Sequence, residues 1–287
     1  MIYLDHFFFG FSDRACYFGD YKQIPGNCKI VGLVFYSFNR ETIINTIKQA
    51  KQQTQKLLVV LAEPVGNIVE ILEIFQHDPD IIFFGDAVLN QPHTNFYTAI
   101  SWFLTTNNYY AKETWAQKLL NSLNHAHDKP FKFDCLLGLQ RPHRDIVDTL
   151  YQQSTVQDQV LFNYFKNNIN LGVWNQVCTP DQVTADQVLV DSTADNINYH
   201  APLSAILPDY IYNQSSHSIV CETTSYNNFS QFTEKVAKPM LAQRIFVVFC
   251  GQWYLKNLRG LGFQTFDSII DESYDSEPDM LIRYQKA

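Results

Sequence analysis

An alternation of short apolar runs with amphipathic stretches is the feature that most restricts the folds open to this chain. Apolar runs occupy Ile30–Phe38, Lys56–Ala62 and Ile81–Phe84. Between them, Arg40–Gln55 and Val69–Phe75 carry their apolar residues at helical spacing. Strands joined by helices in this order pair in parallel through right-handed crossovers, so the first half of the chain predicts a parallel α/β sheet.

The same alternation resumes after a polar segment, Asn124–Pro130, which marks the expected domain boundary. Before this segment the pattern predicts helices at Phe96–Leu104 and Thr114–Leu123. After it, the pattern predicts strands and helices in this order: strand Phe131–Leu139, helix Arg144–Gln152, strand Ser218–Cys221, a helix capped by Thr233, strand Ile245–Cys250 and helix Trp253–Arg259. We therefore expect two Rossmann-like α/β domains, at residues 1–125 and 130–287.

The composition is typical of a folded protein and disfavours one class of partner. Of the 287 residues, 46% are hydrophobic and 15% are aromatic. The net charge of −8 and the pI near 5.4 argue against nucleic acid as a partner of the whole surface. The six cysteines are scattered without a C-x-x-C pair, so we expect reduced thiols in a cytosol-like compartment.

The sequence shows neither a convincing signal peptide nor an integral membrane span. Met1–Phe11 is apolar, but Asp5 and His6 interrupt it and no basic region precedes it. The apolar runs are much shorter than the ~20 residues that cross a bilayer. We expect a cytoplasmic protein, and the sequence leaves open export by a route without a cleaved signal peptide.

A basic turn follows the first strand predicted for the second domain. Arg141, His143 and Arg144 come directly after Phe131–Leu139, at the start of a helix. Ligands of α/β sheets collect where strands end and helices begin, and guanidinium groups form paired bonds to phosphate oxygens. The turn is therefore a candidate diphosphate clamp, or else an ordinary solvated basic turn.

A second group of charged residues surrounds the next predicted strand and helix. Glu222 ends the strand at Ser218–Cys221, and Glu234 and Lys235 form the first turn of the following helix. A lysine in a first helical turn opposes the helix dipole, which suggests that it meets an anion. The alternative is a solvated helix start.

Two acidic residues end strands of the first domain. Glu63 follows Lys56–Ala62 and precedes Pro64, and Asp86 follows Ile81–Phe84 and Gly85. A carboxylate at the carboxyl end of a strand faces the crevice in which a general base would act. Glu63 is the first candidate for this base and Asp86 the second.

The sequence predicts no metal site. Asp78-Pro79-Asp80 matches a D-x-D motif, but its position between a helix and a strand favours ordinary turn chemistry. His125 and His127 have no third ligand near them in the sequence. The chain also contains no G-x-G-x-x-G, Walker loop, G-x-S-x-G or H-E-x-x-H motif.

The residues around Glu222 resemble a known family. The order and spacing of Glu222–Thr224, Phe232–Lys235 and Arg244–Val248 are similar to the donor-binding motif of the α-1,3-fucosyltransferases. That motif has Glu-Asn-Ser, a spacer, Tyr-[Val/Ile/Thr]-Thr-Glu-Lys, a helix and a strand, so Thr223 replaces an Asn and Phe232 a Tyr. The tail Leu258–Tyr274 resembles bacterial and viral relatives of the same broad group, many without an assigned substrate.

This resemblance implies a GT-B-like glycosyltransferase, in which two Rossmann-like domains face a cleft. It implies inverting, metal-independent transfer of a sugar from a nucleotide-diphosphate donor, a GDP-sugar such as GDP-fucose, to a carbohydrate or protein hydroxyl. No cofactor besides this donor substrate is implied. Glu63 would act as the base, and the donor contacts would come from Arg144 or, as second choice, Arg141, and from Glu222, Thr223, Glu234 and Lys235.

A hypothesis of a different class stays open beside the enzyme. A non-catalytic nucleotide- or glycan-binding protein could keep the glycosyltransferase fold, and the substitutions at Thr223 and Phe232 would be its signature. Binding of GDP without turnover of any GDP-sugar would favour this second hypothesis.

Overall fold

Two parallel sheets form the framework of the protein. The computed structural model describes residues 16–18, 30–35, 39–61, 66, 68–98, 100–112, 114–126, 128–166, 183–184, 187–192, 197–202 and 206–287. The chain divides into two compact units, Met1–Ser101 and Trp102–Ala287, and the polar segment Asn124–Pro130 belongs to the second. The predicted α/β class with parallel sheets is confirmed.

The first unit is a parallel sheet with helical crossovers. Its described elements are β1 (Cys16–Phe18), β2 (Ile30–Phe35), α1 (Arg40–Lys51), β3 (Lys56–Leu61), α2 (Ile68–Phe75), β4 (Ile81–Gly85), β5 (Val88–Leu89) and β6 (Phe96–Thr98). Five strands pair in parallel in the order β1-β2-β3-β4-β6. The central strand β3 is buried along Leu57–Leu61, and α1 buries Ile43, Ile44 and Ile47, which are the residues that the helical spacing selects.

The helix predicted at Phe96–Leu104 is wrong in its first part. Phe96–Thr98 is a strand that pairs with Phe83–Gly85, and the helix begins only at Ser101. Aromatic and β-branched residues such as Phe, Tyr and Thr favour extended backbone. The Phe96 ring also lies against Gly85, where an added Cβ would come within 2.6 Å of it, so this pairing requires the glycine.

The second unit has more elements. They are α3 (Ser101–Lys112), which begins at the unit boundary, α4 (Thr114–Asn121), β7 (Phe131–Leu139), α5 (Pro142–Gln153), β8 (Val160–Lys166), β9 (Val183–Thr184), β10 (Gln187–Ser192), β11 (Ile197–Pro202), α6 (Asp209–Gln214), β12 (Ser215–Cys221), β13 (Phe229–Ser230), α7 (Glu234–Leu241), β14 (Phe246–Phe249), α8 (Tyr254–Gly260) and α9 (Met280–Lys286). Short 3-10 helices occupy Gln157–Gln159 and Ser273–Ser276. Strands β11, β10 and β9 form a small antiparallel sheet.

The main sheet of the second unit is doubly wound. Its strands are all parallel and lie in the order β14-β12-β7-β8. The chain moves outward from β7 to β8 and then returns past β7 to β12 and β14. The strand order therefore reverses between β7 and β12.

The alternating side chains of β7 pack on opposite faces of this sheet. Cys135 and Leu137 belong to one buried cluster, together with Val147 of α5. Leu136 packs against a second cluster, which contains Ile211 and Tyr212 of α6. The period of two thus places a helical layer on each side of the strands. Within the described part of the chain, we find no helix with the length and apolar character needed to traverse a membrane.

Candidate functional site

A cavity of about 350 Å³ opens near the carboxyl ends of β7 and β12. Leu137–Leu139 and Ile219–Cys221 line it from these two strands. Because the strand order reverses between β7 and β12, this is the switch point at which doubly wound sheets form their ligand crevice. A smaller cavity of about 110 Å³ lies at the amino ends of the same strands, beside Lys129 and His217.

The charged groups around the larger cavity are mostly basic. Among its described lining residues, four are cationic and two are acidic: Arg141, Arg144, Lys235, Lys238, Asp134 and Glu234. Asp134 is already paired with Arg244, because its Oδ2 lies 2.6 Å from Nη2 of that arginine. The cavity therefore presents a net positive lining to a ligand.

Arg144 is fixed at the rim by the turn that joins β7 to α5. Pro142 begins the helix, as expected for a proline in a first turn. The buried guanidinium donates from Nη1 to the Leu139 carbonyl at 2.6 Å and from Nη2 to the Glu222 carbonyl at 3.2 Å. Its Nε has no acceptor among the described residues, so the group retains donor capacity. A Cβ on Gly138 would lie 3.1 Å from Nη1, which explains why a glycine suits that position.

His143 was expected to contribute to the basic clamp, but its ring is hydrogen-bonded within the protein. Its Nε2 lies 2.9 Å from the Glu222 carbonyl, with which it forms a hydrogen bond. Burial lowers the pKa of His143 to about 4, and the nearby arginines and Lys235 act in the same direction. The ring is therefore neutral at pH 7 and ties the turn after β7 to the end of β12, while the positive charge comes from the arginines.

Glu222 lies at the end of β12, as predicted, but its carboxylate points into the protein. Oε1 accepts hydrogen bonds from the Thr233 backbone N–H at 3.1 Å and from the Tyr254 hydroxyl at 2.8 Å. Oε2 accepts from the Thr233 hydroxyl at 2.5 Å and from the Thr223 backbone N–H at 3.3 Å. Burial raises the pKa of Glu222, although Lys235, Thr233 and Tyr254 oppose the rise. Glu222 thereby fixes the loop that leads to α7.

Helix α7 begins as the sequence predicts and directs its first turn towards the cavity. Thr233 is the N-cap, with its hydroxyl accepting from the Lys235 N–H. Glu234 and Lys235 form an ion pair, and Nζ of Lys235 donates to Oγ1 of Thr223 at 3.0 Å. Thr223, Glu234 and Lys235 all line the cavity. Phe232 is instead buried against Tyr254, with 4.7 Å between ring centroids, so no polar group is needed at that position.

Lys238 is a cationic residue of the cavity lining that the sequence motifs did not single out. It lies three residues after Lys235, and a spacing of three places both on one face of α7. Its side chain lines the cavity although the residue is only 8% exposed. Burial lowers the pKa of Lys238 from 10.5 to about 7; Glu234 raises it and Lys235 lowers it. The signal available in the sequence was this spacing of two lysines on one helix.

The structure describes some of the candidate residues of the first unit but not all of them. Glu63 lies outside the described residues. Asp86 directly follows the last residue of β4 and is 1% exposed. Asp78 accepts a hydrogen bond from the Asp80 N–H, and both carboxylates pair with Lys51. The described residues contain no group of three His, Cys, Asp or Glu side chains placed to hold a metal ion.

Comparison with known proteins adds no relative: no protein-family model, curated protein or solved structure matches the chain.

Proposed function

We propose that this protein is a glycosyltransferase that binds the diphosphate of a nucleotide-sugar donor in the cavity between the ends of β7 and β12. The donor is a GDP-sugar, with GDP-fucose as the first candidate, and the acceptor is a carbohydrate or protein hydroxyl. The proposal includes the finer GT-B arrangement of two Rossmann-like domains, and its family assignment rests on the resemblance to the α-1,3-fucosyltransferases.

The observation that carries the proposal is the position of the basic cavity. Arg141 and Arg144 reach it from the turn after β7, and Lys235 reaches it from the first turn of α7. The free N–H groups of a helix start favour an anion at the same place. A diphosphate carries two adjacent negative groups, which suits cations that approach from two separate elements.

These residues suit the departure of a diphosphate. When the bond from the sugar carbon to the phosphate oxygen breaks, its electron pair stays on the nucleoside diphosphate, and Arg144 and Lys235 stabilise the added charge. The acceptor oxygen forms the new bond to the sugar carbon from the opposite side. Its proton passes to a carboxylate base, for which Glu63 is the proposed residue.

A thermal-shift panel of GDP, UDP, CDP and their sugars tests this proposal. A ligand that binds only the folded state raises the unfolding temperature by mass action. We expect GDP and GDP-fucose to raise it, with and without EDTA, because the cavity supplies cations from side chains. Turnover of a GDP-sugar is then measured with the same donors. A panel without any shift would contradict the proposal, and GDP binding without turnover would favour the non-catalytic binding protein.

A further inference from the structure

The larger cavity extends from its charged rim into an apolar interior. Arg144 lies at the rim beside Leu139, the last residue of β7. Asp134 lines the deep end of the same cavity, five residues earlier on this strand. Between the two ends the lining includes the apolar side chains of Leu136 and Val220. At a strand rise of about 3.3 Å per residue, the cavity therefore runs about 16 Å along β7.

Asp134 leaves one oxygen of its carboxylate open to this cavity. Its Oδ2 accepts hydrogen bonds from the hydroxyls of Ser215 and Ser218 at 2.7 and 3.1 Å, and from Nη2 of Arg244 at 2.6 Å. No hydrogen bond from a described residue reaches Oδ1, and this atom is not one of the enclosed side-chain atoms that lack a partner. Oδ1 therefore faces the open space that Asp134 lines, where it can accept a hydrogen bond from a ligand.

The deep end of the cavity suits the nucleoside part of the proposed donor. The sugar carbon must be accessible to the acceptor, so the sugar points outward from the diphosphate at the rim. The base is then the end of the donor that enters the cavity. Apolar and aromatic walls, here Leu136, Val220 and Tyr212, suit a flat base better than a polyhydroxyl sugar.

We infer that Asp134 selects guanine, with Oδ1 accepting a hydrogen bond from N1–H or from the 2-amino group of the base. This inference rests on the proposed function, because the diphosphate at the rim sets the direction in which the base enters. Guanine is the common base with two donors side by side on its pairing edge. In adenine and cytosine the amino group adjoins a ring nitrogen whose lone pair the carboxylate repels, and in uracil the N–H lies between two carbonyl oxygens. A base without matching donors would leave Oδ1 buried and unpaired.

Arg244 keeps this carboxylate in its accepting form. Burial raises the pKa of Asp134, and the charge of Arg244 and the hydrogen bonds from Ser215 and Ser218 oppose the rise. A neutral acid would leave the buried guanidinium without its counter-charge, which is costly. We therefore expect an ionised Asp134 at pH 7.

Calorimetric titration of the wild type with GDP and with ADP tests the inference from the side of the ligand. The two nucleotides have the same ribose and diphosphate, so a difference in affinity comes from the base. We expect GDP to bind about 10- to 100-fold more tightly, the factor for one hydrogen bond to a charged group. Equal affinities would overturn the inference.

Asp134→Asn tests the inference from the side of the protein. The three donors around Oδ2 should hold the amide oxygen at that position, so the amide NH2 faces the cavity. A donor then meets the donors of guanine, whereas N1 of adenine can accept from it. The preference for GDP over ADP should therefore disappear or reverse, while a merely structural role would weaken both nucleotides equally.

Asp158→Asn, the same change at an exposed site, is the matched control and should keep the wild-type preference. A folded Asp134→Asn protein that still prefers GDP by the wild-type factor would overturn the inference. Because this variant leaves Arg244 without a counter-charge, a crystal structure of the wild type with GDP is a second measurement. It should place Oδ1 within ~3.2 Å of N1 or of the 2-amino nitrogen, and guanine bound away from Asp134 would contradict this.

The outcomes separate this inference from the proposed function. If GDP and ADP bind equally well and both require Lys235, the inference about Asp134 is wrong and the diphosphate site stands. A wild-type protein that binds neither nucleotide would overturn both.

Discussion

At the scale of single residues, Lys235 offers the clearest test of the donor site. Its ammonium contacts the side chains of Glu234 and Thr223 at the cavity wall. We expect Lys235→Ala to lose one charge-assisted contact to the diphosphate, worth roughly 1.5–3 kcal/mol of binding free energy. Calorimetry with GDP measures this loss, and Lys132→Ala, which removes an exposed charge elsewhere, serves as the control. Equal GDP affinity in the two variants would argue against the assignment.

Arg144 should give a mixed result for a structural reason. Its guanidinium also bonds the carbonyls of Leu139 and Glu222, so Arg144→Ala removes structural hydrogen bonds together with the ligand contact. We expect weaker GDP binding and a lower free energy of unfolding in the same variant.

His143 predicts a pH dependence of stability. Because burial lowers its folded-state pKa from 6.5 to about 4, the unfolded chain binds more protons between these two values. The free energy of unfolding should therefore fall as the pH drops from about 6.5 to about 4, by up to about 3 kcal/mol from this group. Denaturant titrations of the wild type and His143→Gln measure the difference, which should shrink in acid. A difference that does not change with pH would contradict the buried neutral ring.

Glu63 remains a prediction from sequence, since it lies outside the described residues. Glu63→Gln keeps the size of the side chain but cannot accept a proton, so it should lower turnover about 10²–10⁴-fold. Binding of GDP should hardly change, because the residue belongs to the acceptor side of the proposal. Asp86→Asn is the comparison variant. Normal turnover in Glu63→Gln would remove Glu63 as the base.

At the scale of elements, a buried ion pair joins the strands beneath the cavity. Oδ2 of Asp134 accepts hydrogen bonds from Ser215 and Ser218 of β12 and from Arg244, which precedes β14. The pair therefore connects the three adjacent strands β7, β12 and β14. Its geometry holds β7 and β12, the two strands that flank the cavity, in register.

Asp134→Ala should weaken this connection severely. The change leaves the buried Arg244 without its carboxylate, at a cost of about 3–5 kcal/mol in the free energy of unfolding. Chemical denaturation measures it, and Asp158→Ala, at an exposed site before β8, is the control that should change little. A loss below about 1 kcal/mol would mean that Arg244 finds other partners.

The elements also show what sequence could and could not predict. Strands such as β3 and β7 were predictable because short apolar runs that alternate with amphipathic stretches favour strands of an α/β sheet. The N-cap Thr233 was predictable because an N-cap hydroxyl accepts a hydrogen bond from a backbone N–H only two or three residues further along the sequence. Strand β6 was missed because its few aromatic residues show no clear period. Lys238 was missed because its burial depends on how α7 packs against the sheet.

Pro239 lies inside helix α7, where a proline is normally unfavourable. A proline inside a helix removes one backbone hydrogen bond, and the sequence predicts a kink or a short helix. Helix α7 has only eight residues and ends at Leu241, two residues after the proline. The helix is therefore short, as predicted, while its first turn, which carries Glu234 and Lys235, stays regular.

At the scale of the whole molecule, the charge distribution is uneven. The chain has a net charge of −8, yet the described lining of one cavity contains four cationic side chains. Placing these charges together costs free energy through mutual repulsion, which an anionic ligand relieves. The overall negative charge would not attract such a ligand from a distance, so recognition must depend on short-range contacts.

The central claim is that the cavity at the ends of β7 and β12 binds a diphosphate. A crystal structure of the protein with GDP tests it most directly. The account predicts the diphosphate within this cavity, with its oxygens within ~3.2 Å of Nζ of Lys235 and of a guanidinium nitrogen of Arg141 or Arg144. GDP bound at another surface, or an empty cavity at a saturating concentration of GDP, would contradict it.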